Sequence, residues 1–500
     1  MKSFNWKLIV PMALATFFAA VDPALAAIPI SDQPLFTQSG QPPLMMMVMS
    51  RDEQLFNKAY PDYTDLDGDG VLDTTYQNNF DYSGYFDSKL CYTYSSSQFT
   101  ATSTATNHAC GGTWSGNFLN WITMSRLDVL RYVLYGGTRS TDTTTTVLER
   151  AQIPNDLHAW VKVYSGSDIG SYTPLSGTAS FCNATLGGSP IMRAASGVYS
   201  EWAATALNQC NWREDIFDDG SHTCNGAPAN GSCYDDAPKT AAVASGSSNG
   251  DFTVRVQVCN NATSRESFCQ KYTSAGVDSW KPVGLLQNYG ENGSMRFGLL
   301  TGSFGNPRSG GILRRNIGLF AGNTGTLNAE GCAVGDEVNT KNGRFCNQNV
   351  GASTPEGIVK TMNALKLTQW SGSVWNDCNT YSILNRQGQQ TNVTDRYLND
   401  PGAGGAAQNC SAWGNPLSEM YAEALRYISA NAKTAGFSTG TDLTGLPAPT
   451  WLDPYRSVAT GGSPYCAKCN ILVLSTGLNS FDSDEIPATP ALPDTAAVAT

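Results

Sequence analysis

Fourteen cysteines behind an export signal constrain this chain more than any other feature. Lys2 and Lys7 precede an apolar run from Leu8 to Val21, and Ala24-Leu25-Ala26 offers a small-residue cleavage site. Residues 1–26 therefore read as a secretory signal peptide, since the apolar run is too short to span a bilayer comfortably. An even cysteine count in an oxidising compartment predicts up to seven disulfides. Sequential pairing is the simplest proposal: Cys91 with Cys110, Cys182 with Cys210, Cys224 with Cys233, Cys259 with Cys269, Cys332 with Cys346 and Cys378 with Cys410. The remaining pair, Cys466-Ala467-Lys468-Cys469, reads first as a plain disulfide or structural pair, with a redox pair or half a zinc site as the alternative. The sequence has neither a second C-x-x-C nor a paired histidine motif, and only three histidines in all.

The 500 residues carry 31 basic and 42 acidic side chains, a net charge of −11; losing two lysines and one aspartate with the signal takes it to −12. With no long basic run, such a chain is a poor polyanion binder, and nucleic acid is excluded as a partner. A hydrophobic share of 41% supports a substantial core, and the length suggests two to four domains. No later stretch reaches 18 apolar residues, so no transmembrane helix is expected after signal cleavage.

Past a polar leader (27–42), Leu44–Met49 is a short apolar run that reads as a fully buried strand. Residues 60–95 are rich in Tyr and Asp, and 117–135 read as one helix with a wide apolar face, stopped by Gly136-Gly137. A Gly/Ser/Ala/Asn-rich, cysteine-stapled insertion follows over 165–280, loop-rich up to residue 250. Residues 252–258 alternate as one strand, 295–300 is a further strand, and the apolar run 471–474 reads as another buried strand. A second helix is expected over 415–430, with Asn415 as cap, Pro416 in the first turn, and Leu417, Tyr421, Ala424 and Ile428 on one face. These elements predict an α/β fold: an open sheet assembled from 43–164 and 281–485, interrupted by stapled insertions, with 486–500 a Pro/Ala/Thr linker.

The most specific local motif is Asp65-Leu66-Asp67-Gly68-Asp69-Gly70-Val71-Leu72-Asp73. Carboxylates at loop positions 1, 3, 5 and 9 with glycine at 6 match a calcium loop, in which the glycine permits the turn that converges hard oxygens. The expected ligands are Asp65, Asp67, Asp69, the Val71 carbonyl and Asp73, with calcium in a structural role. Tyr76 stands where the usual last acidic ligand would be, so Asp81, Asp87 or water is expected to complete the shell. The plain alternative is an Asp/Gly turn without an ion.

Enzymatic signatures are poor. Gly246-Ser247-Ser248-Asn249-Gly250 matches a nucleophile elbow formally, but it sits in a Ser/Gly/Ala run without strand-turn-helix context. His108, His158 and His222 are far apart and read as ordinary core or surface residues. No catalytic residue is nominated.

Several segments together resemble the PilY/PilC family of type IV pilus assembly and tip-associated adhesins. They are 60–76 (YPDYTDLDGDGVLDTTY), 115–137 (SGNFLNWITMSRLDVLRYVLYGG), 252–259, 281–290, 295–304, 309–318, 413–427 (WGNPLSEMYAEALRY) and 465–477 (YCAKCNILVLSTG). The resemblance implies a region similar to a von Willebrand factor type A domain, followed in the family by a C-terminal propeller that this sequence does not reach. It further implies an exported protein of the periplasm, outer-membrane surface or pilus tip, with pilins or minor pilins and a host or abiotic surface as partners.

A von Willebrand type A site would hold an ion on three loops above a parallel sheet. Here the loops would be Met49–Glu53, Trp413–Leu417 and Ser475–Gly477, and all three depart from the pattern. Asn415 replaces a threonine, Thr476 replaces an aspartate, and Arg51 would repel a cation. The scaffold is expected to persist while the metal adhesion site is lost. The strands ending near Met49 and Leu474 should then lie parallel and adjacent, gathering Asp52, Glu53, Asn415, Ser475 and Thr476 around one crevice. Two functions follow: a secreted pilus biogenesis factor and tip adhesin acting by binding, or a secreted carbohydrate-active or other hydrolytic enzyme with an unrecognised site.

Overall fold

The computed structural model describes residues 40–153, 158–186, 188–199, 210, 250–303, 309–328, 330–346, 356–365, 369–371, 374–376, 415–438, 446–479, 482 and 486. The signal peptide, most of the leader and of the C-terminal linker, and the pairs Cys224–Cys233 and Cys378–Cys410 lie outside them. No described helix is long and apolar enough to cross a membrane.

The run Leu44–Met49 is a strand at the inside of a four-stranded sheet, in the order 312–319, 296–301, 44–49, 469–474. It pairs in parallel with both neighbours, Met49 lying opposite Thr301 on one side and Leu474 on the other. Strand 312–319 closes one edge antiparallel. Strand 469–474 forms the other edge, and Leu472 and Val473, expected to be buried, are exposed because no described strand pairs beyond them in this sheet. The unbroken apolar sequence of 44–49 reflects burial on both faces. Met47 and Met49 pack with Leu127, Leu134, Leu286, Phe297 and Ile358 on one side. Leu44, Met46 and Val48 pack with Leu313, Met420, Ala424 and Tyr427 on the other. Each buried Leu, Ile, Val, Met or Phe among them contributes roughly 1.5–3 kcal/mol.

The single helix expected over 117–135 is two, Gly116–Thr123 and Arg126–Tyr135. Met124 is extended, and Ser125 and Asp128 form a capping box: Ser125 Oγ accepts from Asp128 N at 3.1 Å, and Asp128 Oδ2 accepts from Ser125 N at 3.2 Å. The break also exposes backbone for pairing, since Ala59 N donates to Met124 O at 2.9 Å and Arg126 N to Asn57 O at 3.0 Å. Local capping chemistry outweighs continuous apolar periodicity here. The stop is at Gly136, whose φ of +79° suits glycine.

The alternating run 252–258 is likewise two strands, Asp251–Thr253 and Arg255–Val258, in different sheets. Val254 is the switch: its N–H donates to Pro190 O at 2.8 Å while its carbonyl accepts from Arg150 N at 3.1 Å. Strands 179–186 and 189–196 form a regular antiparallel pair, so this part of the expected loop-rich insertion is ordered sheet. Between these sheets and helix 116–123 lies an aromatic core including Tyr76, Tyr82, Phe118, Trp121, Phe181 and Phe252.

Four of the expected disulfides are present: Cys91–Cys110, Cys182–Cys210, Cys259–Cys269 and Cys332–Cys346. The seventh is not formed, for Cys466 and Cys469 are free thiols. Ala467 N donates to Pro464 O at 2.9 Å, holding Cys466 in a turn. Cys469 already extends as the first residue of its strand, paired with Leu44.

Helix 417–428 also differs from the expected register. Met420, Ala424 and Tyr427 face the core, while Leu417 and Ile428 are only partly buried against it. Asn415 does not cap it; Ser418 N is instead met by the Asp482 carboxylate, which also accepts from Ser418 Oγ at 2.7 Å.

Candidate functional site

Two groups of the nominated residues carry chemistry, and the fold places them differently. The first lies at the carboxyl ends of strands 44–49 and 469–474, the usual ligand position in open parallel sheets. Asp52, only 1% exposed, accepts from Thr476 Oγ1 at 3.0 Å, more loosely from Ser475 Oγ at 3.5 Å, and from Ser50 Oγ. Asn415 Nδ2 donates to Ser475 Oγ and Leu478 O, each at 3.1 Å. Asn415 lies two residues before helix 417–428, and its amide is turned towards these loops. Asp52, Asn415, Ser475 and Thr476 thus form one continuous network. Glu53 opens the short turn Glu53–Phe56 beside it, and burial, reinforced by the Asp52 charge, raises its carboxyl pKa.

Gly477 allows the close approach that the network needs: a Cβ there would lie 3.0 Å from Asp52 Cγ. Arg51 is drawn aside, donating from Nε to Ser303 O at 2.6 Å at the end of the neighbouring strand. Chemically, the arrangement is a buried carboxylate surrounded by hydroxyl donors at the carboxyl ends of two parallel strands. Ser50, not among the residues expected here, belongs to it as a further hydroxyl donor; its place directly after the first strand is the signal that could have found it.

The second group is the Asp/Gly loop. Carboxylate oxygens of Asp65, Asp67 and Asp73 all lie within 4.8 Å of one another. Asp65 accepts from Gly68 N at 2.7 Å, Asp69 N at 3.1 Å and Gly70 N at 2.8 Å, which folds the chain around it. Gly68 and Gly70 have φ of +79° and +87°, the left-handed conformation that the tight turn requires. The 7%-exposed Asp73 accepts from Leu66 N at 2.7 Å, and Thr64 and Asp73 form a bridge that closes the loop's base.

Asp69 stands apart from the three-carboxylate group, its Oδ1 accepting from Val71 N at 2.7 Å. The surrogates expected at the last position are engaged elsewhere. Asp81 pairs with His108 Nε2 at 2.8 Å, and Asp87 accepts from Lys89 N and Ser267 N. Tyr76 points into the aromatic core and accepts from Asn117 Nδ2 at 2.9 Å. Asn79, three residues further on, reaches Asp67 Oδ2 at 3.4 Å and was not anticipated. The donor set fits a hard cation: three converging carboxylates on a glycine-shaped turn, with an amide beside them.

The loop is anchored through Lys162, fully buried on strand 160–164, which donates to the Tyr60 carbonyl and the Asp62 carboxylate. Its ammonium sits 4.5 Å from the Trp121 ring centroid, and burial pushes its pKa down to about 8.

The chain resembles known proteins in both halves. Residues 73–202 match the family model described as PilY1 homolog, small alpha/beta domain, and residues 297–498 match PilY1 homolog, second domain. A type IV pilus biogenesis factor PilY1 homolog from Xylella fastidiosa strain Temecula1 is 35% identical over 478 residues, 88% of this chain and 29% of that protein. A second protein of the same name and organism is 27% identical over 235 residues, 44% of this chain and 17% of its own length. The chain therefore spans less than a third of the curated relatives it matches. No solved structure matches. With two successive domain matches and the long alignment pointing the same way, the chain belongs to the PilY1-homolog family.

Proposed function

We propose that this chain is an exported binding module of a type IV pilus biogenesis factor, acting at the pilus tip as an adhesin and contacting pilins or minor pilins. The relatives' names support the pilus role, and four disulfides fit an exported protein. The observation that carries the adhesive reading is the Asp52–Ser475–Thr476–Asn415 network at the strand ends, on a sheet whose order and directions suit a von Willebrand type A scaffold. Because Asp52 is satisfied by internal hydroxyl donors, the surface at these strand ends serves protein contact rather than strong ion binding. Asp65, Asp67 and Asp73, with Asp69 and the Val71 carbonyl nearby, would hold a structural calcium ion that stiffens the loop. The module works by binding, without turnover.

The test is complementation in a piliated bacterium lacking its own homologue. The wild-type gene should restore surface pili and adhesion, whereas an Asn415→Ala, Thr476→Val variant should restore pili with weakened adhesion. Failure of the folded wild-type protein to restore pili would sink the pilus role; full adhesion by the variant would sink the strand-end network as the contact.

A further inference from the structure

Cys466 and Cys469 differ from the bonded cysteines in three respects. Each bonded pair contains a cysteine no more than 4% exposed and joins positions 10 to 28 residues apart. Cys466 and Cys469 lie three residues apart, Cys466 exposed in a turn and Cys469 half-buried at the head of strand 469–474. Both are thiols where the other described cysteines are oxidised. Burial pushes the Cys469 thiol up to about 11, keeping it protonated, while the exposed Cys466 is accessible to an external disulfide.

A bond across so short a ring removes little chain entropy, so it is held less firmly than the four longer staples. Exposed bonds of this kind are the ones that exchange. The position matters for the sheet: Lys468 O, between the two cysteines, accepts from Leu44 N at 2.7 Å at the start of the parallel pairing. The other end of the same strand leads to Ser475 and Thr476.

We propose that Cys466 and Cys469 are a redox-active dithiol that exchanges with an external disulfide at the entry of strand 469–474. The Cys466 thiolate attacks one sulfur of the external disulfide, forming a mixed disulfide and expelling one thiolate. Cys469 then loses its proton, attacks the Cys466 sulfur and expels the second thiolate. Two protein thiols are oxidised to one disulfide, and one external disulfide is reduced to two thiols.

The probe is glutathione, applied as buffers of graded reduced-to-oxidised ratio to the purified chain, followed by alkylation and peptide mass analysis. The 466–469 peptide should pass from dithiol to disulfide across the series while the four other bonds stay closed. A Cys469→Ser variant should accumulate a glutathione adduct at Cys466, and a Cys466→Ser variant should accumulate at least fivefold less at Cys469. A wild-type peptide that stays in one state throughout overturns the proposal, and this reading needs no variant to fold. Equal adducts in the two variants, or a stoichiometric zinc ion that blocks alkylation, would also overturn it.

Discussion

Thr476 Oγ1 donates to Asp52 Oδ1 across 3.0 Å, tying together the loops that leave two neighbouring parallel strands. The two residues are 424 positions apart, so the contact forms only once the central sheet is complete. Removing it leaves a buried carboxylate short of a donor. Thr476→Val should therefore lower stability by about 1–3 kcal/mol, and Thr476→Ser should recover most of the loss. Urea denaturation of the three proteins checks this; a valine variant as stable as wild type would be inconsistent with it.

The carboxylate geometry ranks the loop variants. Asp65→Ala and Asp67→Ala each delete a member of the converging group and should weaken calcium binding about tenfold or more. Asp69→Ala should cost less, because Asp69 lies outside that group and braces Val71 N. Titration calorimetry decides, and identical heats for wild type and Asp67→Ala would rule out calcium at this loop.

The staple between Cys182 and Cys210 joins strand 179–186 to a position 28 residues on, with both cysteines fully buried. Replacing both with alanine should cost roughly 3–4 kcal/mol in the chain-entropy account. Thermal unfolding measures the loss, and non-reducing peptide maps should recover this pair along with Cys91–Cys110.

Alkaline pH should unfold the protein through its buried phenols. Burial raises Tyr60, Tyr132 and Tyr135 from 10.0 to about 12. Their contribution to stability is fully present below pH 10, where unfolded tyrosines are still protonated, and is lost as pH rises through 12. The folded protein should thus show delayed tyrosinate absorbance, appearing together with loss of circular dichroism. Ionisation near pH 10 of the whole tyrosine complement in a still-folded protein would contradict the burial.

Much of the frame was legible in the residues. The run Leu44–Met49 has no polar alternation, and a strand covered on both faces is the economical way to bury it. Asp65, Asp67 and Asp73 converge because glycine spacing and short-range hydrogen bonds act within nine residues. The four short cystine loops were readable because chain proximity favours neighbouring thiols.

Other features depended on contacts that local patterns do not encode. Helical periodicity ran unbroken through 117–135, yet the Ser125–Asp128 box and the crossing of residues 57–59 divide it. The alternation in 252–258 could not reveal that Val254 hands the chain from one sheet to another. Asn415 carries the signature of a helix cap, but loops 60 residues later supply it with better acceptors. Sequence alone determined which segments are apolar, which loop can gather carboxylates and which cysteines lie close enough to pair, because these follow from composition and short spacing. Only the tertiary structure decided where Asp52 meets Thr476, which thiols stay open and which helix face is buried, because those outcomes depend on partners that arrive from distant parts of the chain.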